Sequence, residues 1–442
     1  MKKIRTFATQ PDKEKVFLVG VEFHNKPSLL SVNDSLQELS LLASTAGLVI
    51  VGQATQKLDH PNPSTFIGSG KVEELRILIE ETEANLVIFD EELSPRHLRE
   101  LEEKFGKDTR VLDRTALILD IFALHANTAE GKLQVELAQY EYLYPRLTRA
   151  WTHLARQAGG GAGRTGSVGG VGLRGPGETQ LEVDRRQIRS RISFLKEELE
   201  KVRAHRNQYR QTRKKSHIPI IALVGYTNAG KSTLINQLTD SDVLVADKLF
   251  ATLDPTTRRL DLPGGNSILI TDTVGFIQKL PTQLIAAFRA TLEEISEADL
   301  LLHVVDISHP AAIAQWRSVQ KTLEDIECSQ IPVITVLNKI DRINNSENNF
   351  LSKPEWINAI PISAMKGLGI DALLHRIRQE LFETLVPIDV KLPYIQGQLI
   401  SLFHQNGQID IIEHGFGSVR IKGNIPGRLA SKYLPYMLNK KS

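Results

Sequence analysis

The sequence predicts a multidomain α/β protein. A central domain with a mostly parallel sheet follows a small α/β domain and a long helical hairpin, and a small α+β domain comes after it. Two observations lead to this fold class. Several short apolar runs each end at a glycine-rich or polar turn, as buried parallel strands do. The chain of 442 residues is also too long for a single hydrophobic core.

Composition excludes several classes of protein. Apolar content of 41% and charged content of 24% are ordinary for a globular chain. The longest apolar runs, such as 300–305, are far shorter than the roughly 20 residues of a membrane span, and the N-terminus lacks the apolar core of a signal peptide. A single cysteine, Cys328, excludes an internal disulfide and a cysteine-based zinc site. We therefore expect a cytoplasmic protein with no membrane partner.

The first domain, residues 1–126, alternates apolar runs with amphipathic segments. This alternation predicts a small α/β domain with a mainly parallel sheet. Gly68-Ser69-Gly70-Lys71 could suggest a dinucleotide site, but the third glycine is missing and no strong strand precedes it, so a tight helix-entry turn is favoured. Strands are predicted at 16–23, 48–52, 86–89 and 109–112, and helices at 35–46, 71–83 and 95–105.

The hairpin, residues 127–215, is predicted from two long helical patterns at 128–157 and 178–215, which flank the glycine-rich segment 159–177. Residues 127–215 contain 18 Lys+Arg and 9 Asp+Glu, a net charge of +9, whereas the rest of the chain carries −7. Arginines in 184–191, with Arg164 and Arg174 in the flexible tip, favour RNA as a partner. The alternative is a solvated helix face beside a linker.

The third domain, residues 216–386, begins with the apolar run 220–224, and the pattern Gly-x-x-x-x-Gly-Lys-Ser follows it. This pattern is typical of a P-loop, in which backbone N–H groups surround the β-phosphate, Lys231 reaches the β- and γ-phosphates and the Ser232 hydroxyl is placed for Mg2+. The predicted phosphate-binding residues are Gly225, Tyr226, Thr227, Asn228, Ala229, Gly230, Lys231 and Ser232.

Three later motifs follow apolar runs in the same way and predict GTP as the nucleotide. Asp341 can accept two hydrogen bonds from the N1–H and 2-amino groups of guanine, a pair that adenine does not offer. Asp272 is placed to hold Mg2+ through water, and the N–H of Gly275 to meet the γ-phosphate. A backbone N–H in 363–365 can contact guanine O6. The residues of these motifs are Asp272, Thr273, Val274, Gly275, Asn338, Lys339, Ile340, Asp341, Ser363, Ala364 and Met365.

The last domain, residues 387–442, is predicted to be a small α+β module with strands at 398–405, 408–414 and 417–422 and a helix at 426–436. His404 and His414 are not at a metal-ligand spacing, so we expect them to face solvent. No chemistry is assigned to this domain.

Several segments resemble the HflX family of translational GTPases. They are residues 65–74, Asp113-Arg114-Thr115 with 118–122, 131–139 and 175–182, and the resemblance extends over about 15–385. It implies an N-terminal HflX domain, a GTPase domain of the Obg–HflX superfamily and binding to the large ribosomal subunit. Family members split stalled or idle ribosomes into subunits, with the glycine-rich tip reaching toward the peptidyl transferase centre. Composition alone indicates only RNA.

The switch I segment, 249–258, contains three threonines whose hydroxyls could bind Mg2+. Thr252 is preferred because it aligns with the superfamily pattern Phe-x-Thr-Leu, and Thr256 is the alternative. Thr252 joins Lys231 and Gly275 as predicted catalytic residues and Ser232 as a predicted Mg2+ ligand. The switch I residues expected at the nucleotide are Phe250, Ala251, Thr252, Leu253 and Asp254.

Phe276 stands where Ras-like proteins have a glutamine that positions the attacking water. A phenylalanine cannot do this, so we expect slow intrinsic hydrolysis that is raised on the ribosome.

These patterns together predict an enzyme that hydrolyses GTP to GDP and phosphate with Mg2+. It is expected to act as a monomer, and the resemblance to the HflX family implies that it acts on the large ribosomal subunit and its RNA and splits ribosomes. Two alternatives remain. A GTP-regulated RNA-remodelling enzyme would unwind free RNA, whereas a switch-type scaffold would bind a protein partner and resist ribonuclease.

Overall fold

The computed structural model describes residues 14–25, 30–106, 108–147, 180–214, 218–239, 249–250, 256–263, 266–279, 295–343, 353–382 and 385–438. The chain divides into two compact units, Met1–Leu260 with Ile268–Leu368, and Asp261–Ser267 with Gly369–Ser442. The predicted multidomain α/β class is confirmed. Among the described residues, no helix is both long and apolar enough to cross a bilayer.

The N-terminal domain contains a four-stranded parallel sheet of order β2-β1-β3-β4. The strands predicted at 16–23 and 86–89 and the helix at 95–105 are confirmed. Helix α4 was not predicted, because its first six residues are all buried and show no amphipathic period. The strands are β1 (Lys15–Phe23), β2 (Val49–Leu58), β3 (Leu86–Phe89) and β4 (Arg110–Asp113), and the helices are α1 (Val32–Thr45), α2 (Ser69–Thr82), α3 (Pro95–Phe105) and α4 (Arg114–His125).

Short polar side chains begin several of these helices. The Ser94 hydroxyl accepts from His97 N, and Pro95 takes the first helical position of α3. The Asp113 carboxylate accepts from Ala116 N (2.9 Å) at the start of α4. Helix α2 begins directly after Gly68, so the helix-entry turn predicted there is confirmed.

The hairpin helices are α5 (Ala129–Leu143), followed by a 3-10 turn at Tyr144–Arg146, and α6 (Gln180–Lys214). The prediction of one unbroken helix from 128 is wrong at Pro145, which lacks the N–H that would continue the hydrogen-bond ladder. Residues 148–157 and the glycine-rich tip, 159–177, lie outside the described residues. The second helix is confirmed, and Ile188 and Leu195 are the buried positions among its side chains from 182 to 204.

The central domain contains a six-stranded sheet of order β10-β9-β8-β5-β7-β6. The pairs β5–β7, β5–β8, β8–β9 and β9–β10 are parallel. The four apolar runs that precede the nucleotide motifs are therefore strands, as predicted. The elements are β5 (Ile220–Gly225), α7 (Lys231–Thr239), β6 (Thr256–Asp261), β7 (Ser267–Asp272), β8 (Leu300–Asp306), α8 (Ala312–Asp325), β9 (Val333–Asn338) and β10 (Ile360–Pro361).

The C-terminal unit contains a three-stranded antiparallel sheet of order β11-β13-β12. The strand predicted at 398–405 is wrong, because Leu399, Ile400 and Phe403 lie on one face of a helix and pack on the sheet. The strands at 408–414 and 417–422 are confirmed. The elements are α9 (Ile370–Leu381), β11 (Leu385–Pro393), α10 (Gly397–Asn406), β12 (Gln408–Gly415), β13 (Ser418–Pro426) and α11 (Gly427–Tyr433).

Candidate nucleotide site

The turn between β5 and α7 holds a buried lysine. Lys231 is 7% exposed, and its Nζ donates to Gly225 O (3.1 Å) and Tyr226 O (3.0 Å). Burial lowers the pKa of Lys231 to about 8, and the nearby Asp272 charge acts in the opposite direction. The ammonium is thus fixed at the start of a helix, where backbone N–H groups and the helix dipole favour an anion.

One asparagine side chain ties three of the motifs together. Asn338 Nδ2 donates to Ala229 O (2.9 Å) in the P-loop, and Asn338 Oδ1 accepts from Ala364 N (3.0 Å) in the loop after β10. Gly230 has φ +93°, and a Cβ there would lie 2.3 Å from Asn338 Nδ2. Only glycine allows this close approach.

The Asp341 carboxylate is oriented by its neighbours. Ser363 Oγ donates to Asp341 Oδ1 (2.6 Å), and this hydrogen bond lowers the pKa of Asp341 below its usual value. Ser363 Oγ accepts in turn from Lys366 N (3.2 Å). The carboxylate is therefore ionised at neutral pH and can accept two hydrogen bonds from a base edge.

A further polar residue was missed by the sequence reasoning. Asp306 pairs with Lys339 Nζ (2.7 Å), which also donates to Asn228 O (2.8 Å). Asp306 ends β8 in the same way that the other motif residues end their strands, and this position was the signal that could have identified it.

Two side chains predicted to act on Mg2+ meet. Ser232 Oγ donates to Asp272 Oδ2 (2.8 Å), so a hydroxyl and a carboxylate converge at one point at the carboxyl end of the sheet. Hard oxygen ligands of this kind suit Mg2+. Thr252, with Ala251, Leu253 and Asp254, lies outside the described residues. Where the chain is described, no group of three or more His, Cys, Asp or Glu could hold a metal ion.

The segment after Asp272 lies directly against the P-loop. Thr227 N donates to Phe276 O (2.8 Å), and Phe276 N donates to Gly225 O (3.0 Å). A Cβ on Gly275 would lie 2.9 Å from Thr227 Cα, so the backbone approaches too closely for any side chain. Phe276 is 4% exposed, and its ring belongs to the hydrophobic core.

Phe250 is the last described residue before the switch I gap. Its ring is buried and packs edge-to-face on Phe122 of α4, with centroids 4.6 Å apart. The sequence reasoning placed Phe250 at the nucleotide, whereas its ring lies against the N-terminal domain.

Four family models match consecutive parts of the chain. They are "GTP-binding GTPase N-terminal" at 33–123, "GTP-binding GTPase Middle Region" at 125–213, "50S ribosome-binding GTPase" at 220–339 and "HflX C-terminal domain" at 352–433. Together they cover most of the sequence.

Curated relatives match over nearly the full length. A "GTPase HflX" of Caldanaerobacter subterraneus is 46% identical over 92% of this chain and 89% of its own length. The "GTPase HflX" of Escherichia coli is 44% identical, with 89% and 88% covered. A solved structure, "SsGBP and GDP complex", has 27% identity and a TM-score of 0.47, and the match covers 83% of this chain and 98% of that one. Identity of this extent across all four matched regions shows that the chain belongs to the HflX family of P-loop GTPases.

Proposed function

We propose that this GTPase binds the large ribosomal subunit and splits stalled or idle ribosomes into subunits, and that GTP hydrolysis controls its binding and release. The observation that carries the proposal is the excess of basic residues on α6. The family model at 220–339, described as a 50S ribosome-binding GTPase, and the HflX relatives support the ribosome as the RNA partner.

Helix α6 contains 11 Lys and Arg against 5 Asp and Glu. On the side that faces α5, the charges are neutralised, since Arg191 bonds Glu136 twice (2.8 and 2.9 Å) and Lys196 pairs with Glu141 (2.8 Å). The side chains of Arg185, Arg186 and Arg189 are exposed, although Arg185 also donates to Leu147 O (3.5 Å) and the guanidinium carbon of Arg189 lies 5.3 Å from the centroid of the Tyr144 ring. A helix with several exposed arginines on neighbouring turns can contact a phosphate backbone.

The nucleotide roles follow from the contacts of the site. Asp341 would read guanine, and Lys231 and the Gly275 N–H would hold the γ-phosphate. Ser232 and Thr252 would ligate Mg2+, with Asp272 acting through water. The ion, when bound, neutralises charge that develops on the β- and γ-phosphates. The same proposal assigns the other predicted residues of the P-loop, switch I and guanine motifs to the nucleotide site. It also includes the domain limits at 126, 215 and 386, a cytoplasmic location and a monomeric state.

The basic surface is tested by reversing two charges in Arg185→Glu/Arg186→Glu. Ribosomes are sedimented with each protein and a non-hydrolysable GTP analogue, and subunit yield is measured. We expect loss of co-sedimentation and splitting with basal hydrolysis retained, because both arginines lie on α6, outside the predicted nucleotide motifs. The matched control reverses two exposed arginines on α3, Arg96→Glu/Arg99→Glu, and should split normally. Full splitting by the α6 variant would contradict the proposal.

The tip is tested by replacing 159–177 with a short neutral turn. Basal GTP hydrolysis should persist, while splitting should fail even if some salt-sensitive binding survives. Normal splitting would make the tip a connector only. Unwinding of free RNA without subunits would favour a remodelling enzyme instead, and binding that survives ribonuclease and moderate salt would favour a protein scaffold.

A further inference from the structure

Tyr226 is a P-loop residue whose hydroxyl is bound by two other parts of the molecule. Its Oη donates to the Glu38 carboxylate of α1 and accepts from Gln278 N (2.9 Å). Burial raises the pKa of Tyr226 to about 12, so the hydroxyl keeps its proton and can donate. One phenol therefore joins the P-loop, the segment 275–279 and the N-terminal domain.

Behind this phenol lies a buried charge cluster. Arg114, from the Asp-Arg-Thr motif, is 2% exposed and donates to Glu38 through Nη2 and to Asp90 Oδ1 through Nη1 (2.7 Å). Asp90 also accepts from Ser35 Oγ (2.6 Å). Removing one member of such a cluster leaves a buried charge unpaired, which carries a large free-energy cost. Movement of Glu38 or Asp90 away from Arg114 is opposed by the same cost, so both carboxylates are held in place.

Lys279 makes a second link between the segment 275–279 and the N-terminal domain. Its Nζ donates to the Asp90 carboxylate and to Glu91 Oε1 (3.1 Å). Glu91 is itself held by Val21 N of β1 (3.1 Å). Gln278 is thus bonded to Tyr226, which in turn bonds Glu38 of the N-terminal domain. Lys279 is bonded directly to two carboxylates of that domain.

The other end of this segment reaches the phosphate side of the site. A Cβ on Gly275 would lie 2.8 Å from Thr227 Cγ2 and 3.1 Å from Lys231 Nζ, so little room remains between Gly275 and the lysine. A γ-phosphate that contacts both the lysine and the Gly275 N–H has to enter there. If the segment moves outward to admit the phosphate, the movement would strain the bonds at Gln278 and Lys279.

We infer that Tyr226 and Lys279 are positioning residues that hold segment 275–279 against the P-loop, so that the N-terminal domain helps to set the preference between GTP and GDP. The links stabilise the form that lacks a γ-phosphate. Weakening either link lowers the cost of the shift, which raises the affinity for GTP relative to GDP. Because coupling is reciprocal, a bound γ-phosphate also loosens the N-terminal domain's hold on the segment.

The test compares dissociation constants for GDP and a non-hydrolysable GTP analogue in the full chain. Lys279→Met should shift the ratio toward the analogue by roughly 3- to 10-fold, as expected for one or two hydrogen bonds, with GDP affinity unchanged. Lys279→Arg, which keeps the charge, should restore the wild-type ratio. Tyr226→Phe should shift the ratio in the same direction without disturbing the Arg114 pairs.

Two control variants make comparable changes away from the segment 275–279. Lys15→Met removes an ion pair with Glu83 (2.6 Å), and Tyr142→Phe removes a buried hydrogen bond to Asp113 (2.8 Å). Both should leave the ratio unchanged. The inference is overturned if Lys279→Met does not move the ratio, or if either control moves it equally.

The inference rests on the proposed phosphate roles of Lys231 and Gly275, and the two can fail separately. If Lys231→Ala binds both nucleotides as the wild type does, the site assignment fails. If Lys231→Ala loses binding but the ratio in Lys279→Met is unmoved, only the coupling fails.

Discussion

Replacement of Asp341 by asparagine gives a direct test of guanine recognition. In the wild-type protein the carboxylate accepts a hydrogen bond from Ser363 Oγ (2.6 Å) and keeps a lowered pKa, so both oxygens can accept from the base. In Asp341→Asn the amide oxygen still accepts from Ser363, but the amide nitrogen meets the 2-amino group of guanine donor to donor. The loop geometry is preserved while the base contact is lost.

The expected loss is large. A hydrogen bond to an ionised acceptor contributes about 1.5–3 kcal/mol, so loss of the contact with the 2-amino group should weaken GTP binding by at least about 1.5–3 kcal/mol, on the order of 10- to 10²-fold in Kd. Xanthine has an oxo group in place of the 2-amino group, and the asparagine amide can donate to it. Affinity for xanthosine triphosphate should therefore rise as affinity for GTP falls.

The assay is competition between GTP and xanthosine triphosphate for one labelled nucleotide, with hydrolysis of each measured alongside. Asp325→Asn, an exposed change on α8, is the control for removing one negative charge and should behave as the wild type. Unchanged GTP affinity in Asp341→Asn would refute the assignment of this carboxylate to the base.

Two further predictions concern the phosphate side. Lys231→Ala should weaken triphosphate binding by about 1.5–3 kcal/mol through loss of a charge-assisted contact, and retained hydrolysis would place the active site elsewhere. The pKa of Lys231 is lowered to about 8 in the free protein, and a bound triphosphate raises it because negative charge favours the ammonium. Affinity for a GTP analogue should thus fall up to about tenfold per pH unit above pH 8, whereas a flat profile from pH 7 to pH 9 would contradict this reasoning.

Much of the GTPase domain could be predicted because its motifs are local. Each apolar run is a strand, and the chemistry lies in the few residues that follow it, so Lys231, Asp272 and Asp341 were found from spacing alone. The link between Lys279 and Asp90 joins residues 189 positions apart, and no local pattern marks such a pair. The motif containing Arg114 supported the family resemblance, but its role emerged only from the charges packed around it.

Errors in element type had local causes. The segment 398–405 is apolar enough to be predicted as either a strand or a helix. It is a helix in the structure, and this places Leu399, Ile400 and Phe403 together against the neighbouring sheet. Helix α4 was missed for the opposite reason, since burial on nearly every side removes the amphipathic period on which the prediction depends.

The two hydrogen bonds of the Asn338 side chain have a consequence for ligand length. Because this amide holds both the P-loop and the loop after β10, the span between the proposed base and phosphate subsites is set by the protein. A guanine nucleotide with a shortened or acyclic linker in place of ribose must therefore adapt its own conformation to reach both ends. The affinities of such compounds should fall as the distance that they span between base and phosphates departs from the distance that ribose gives.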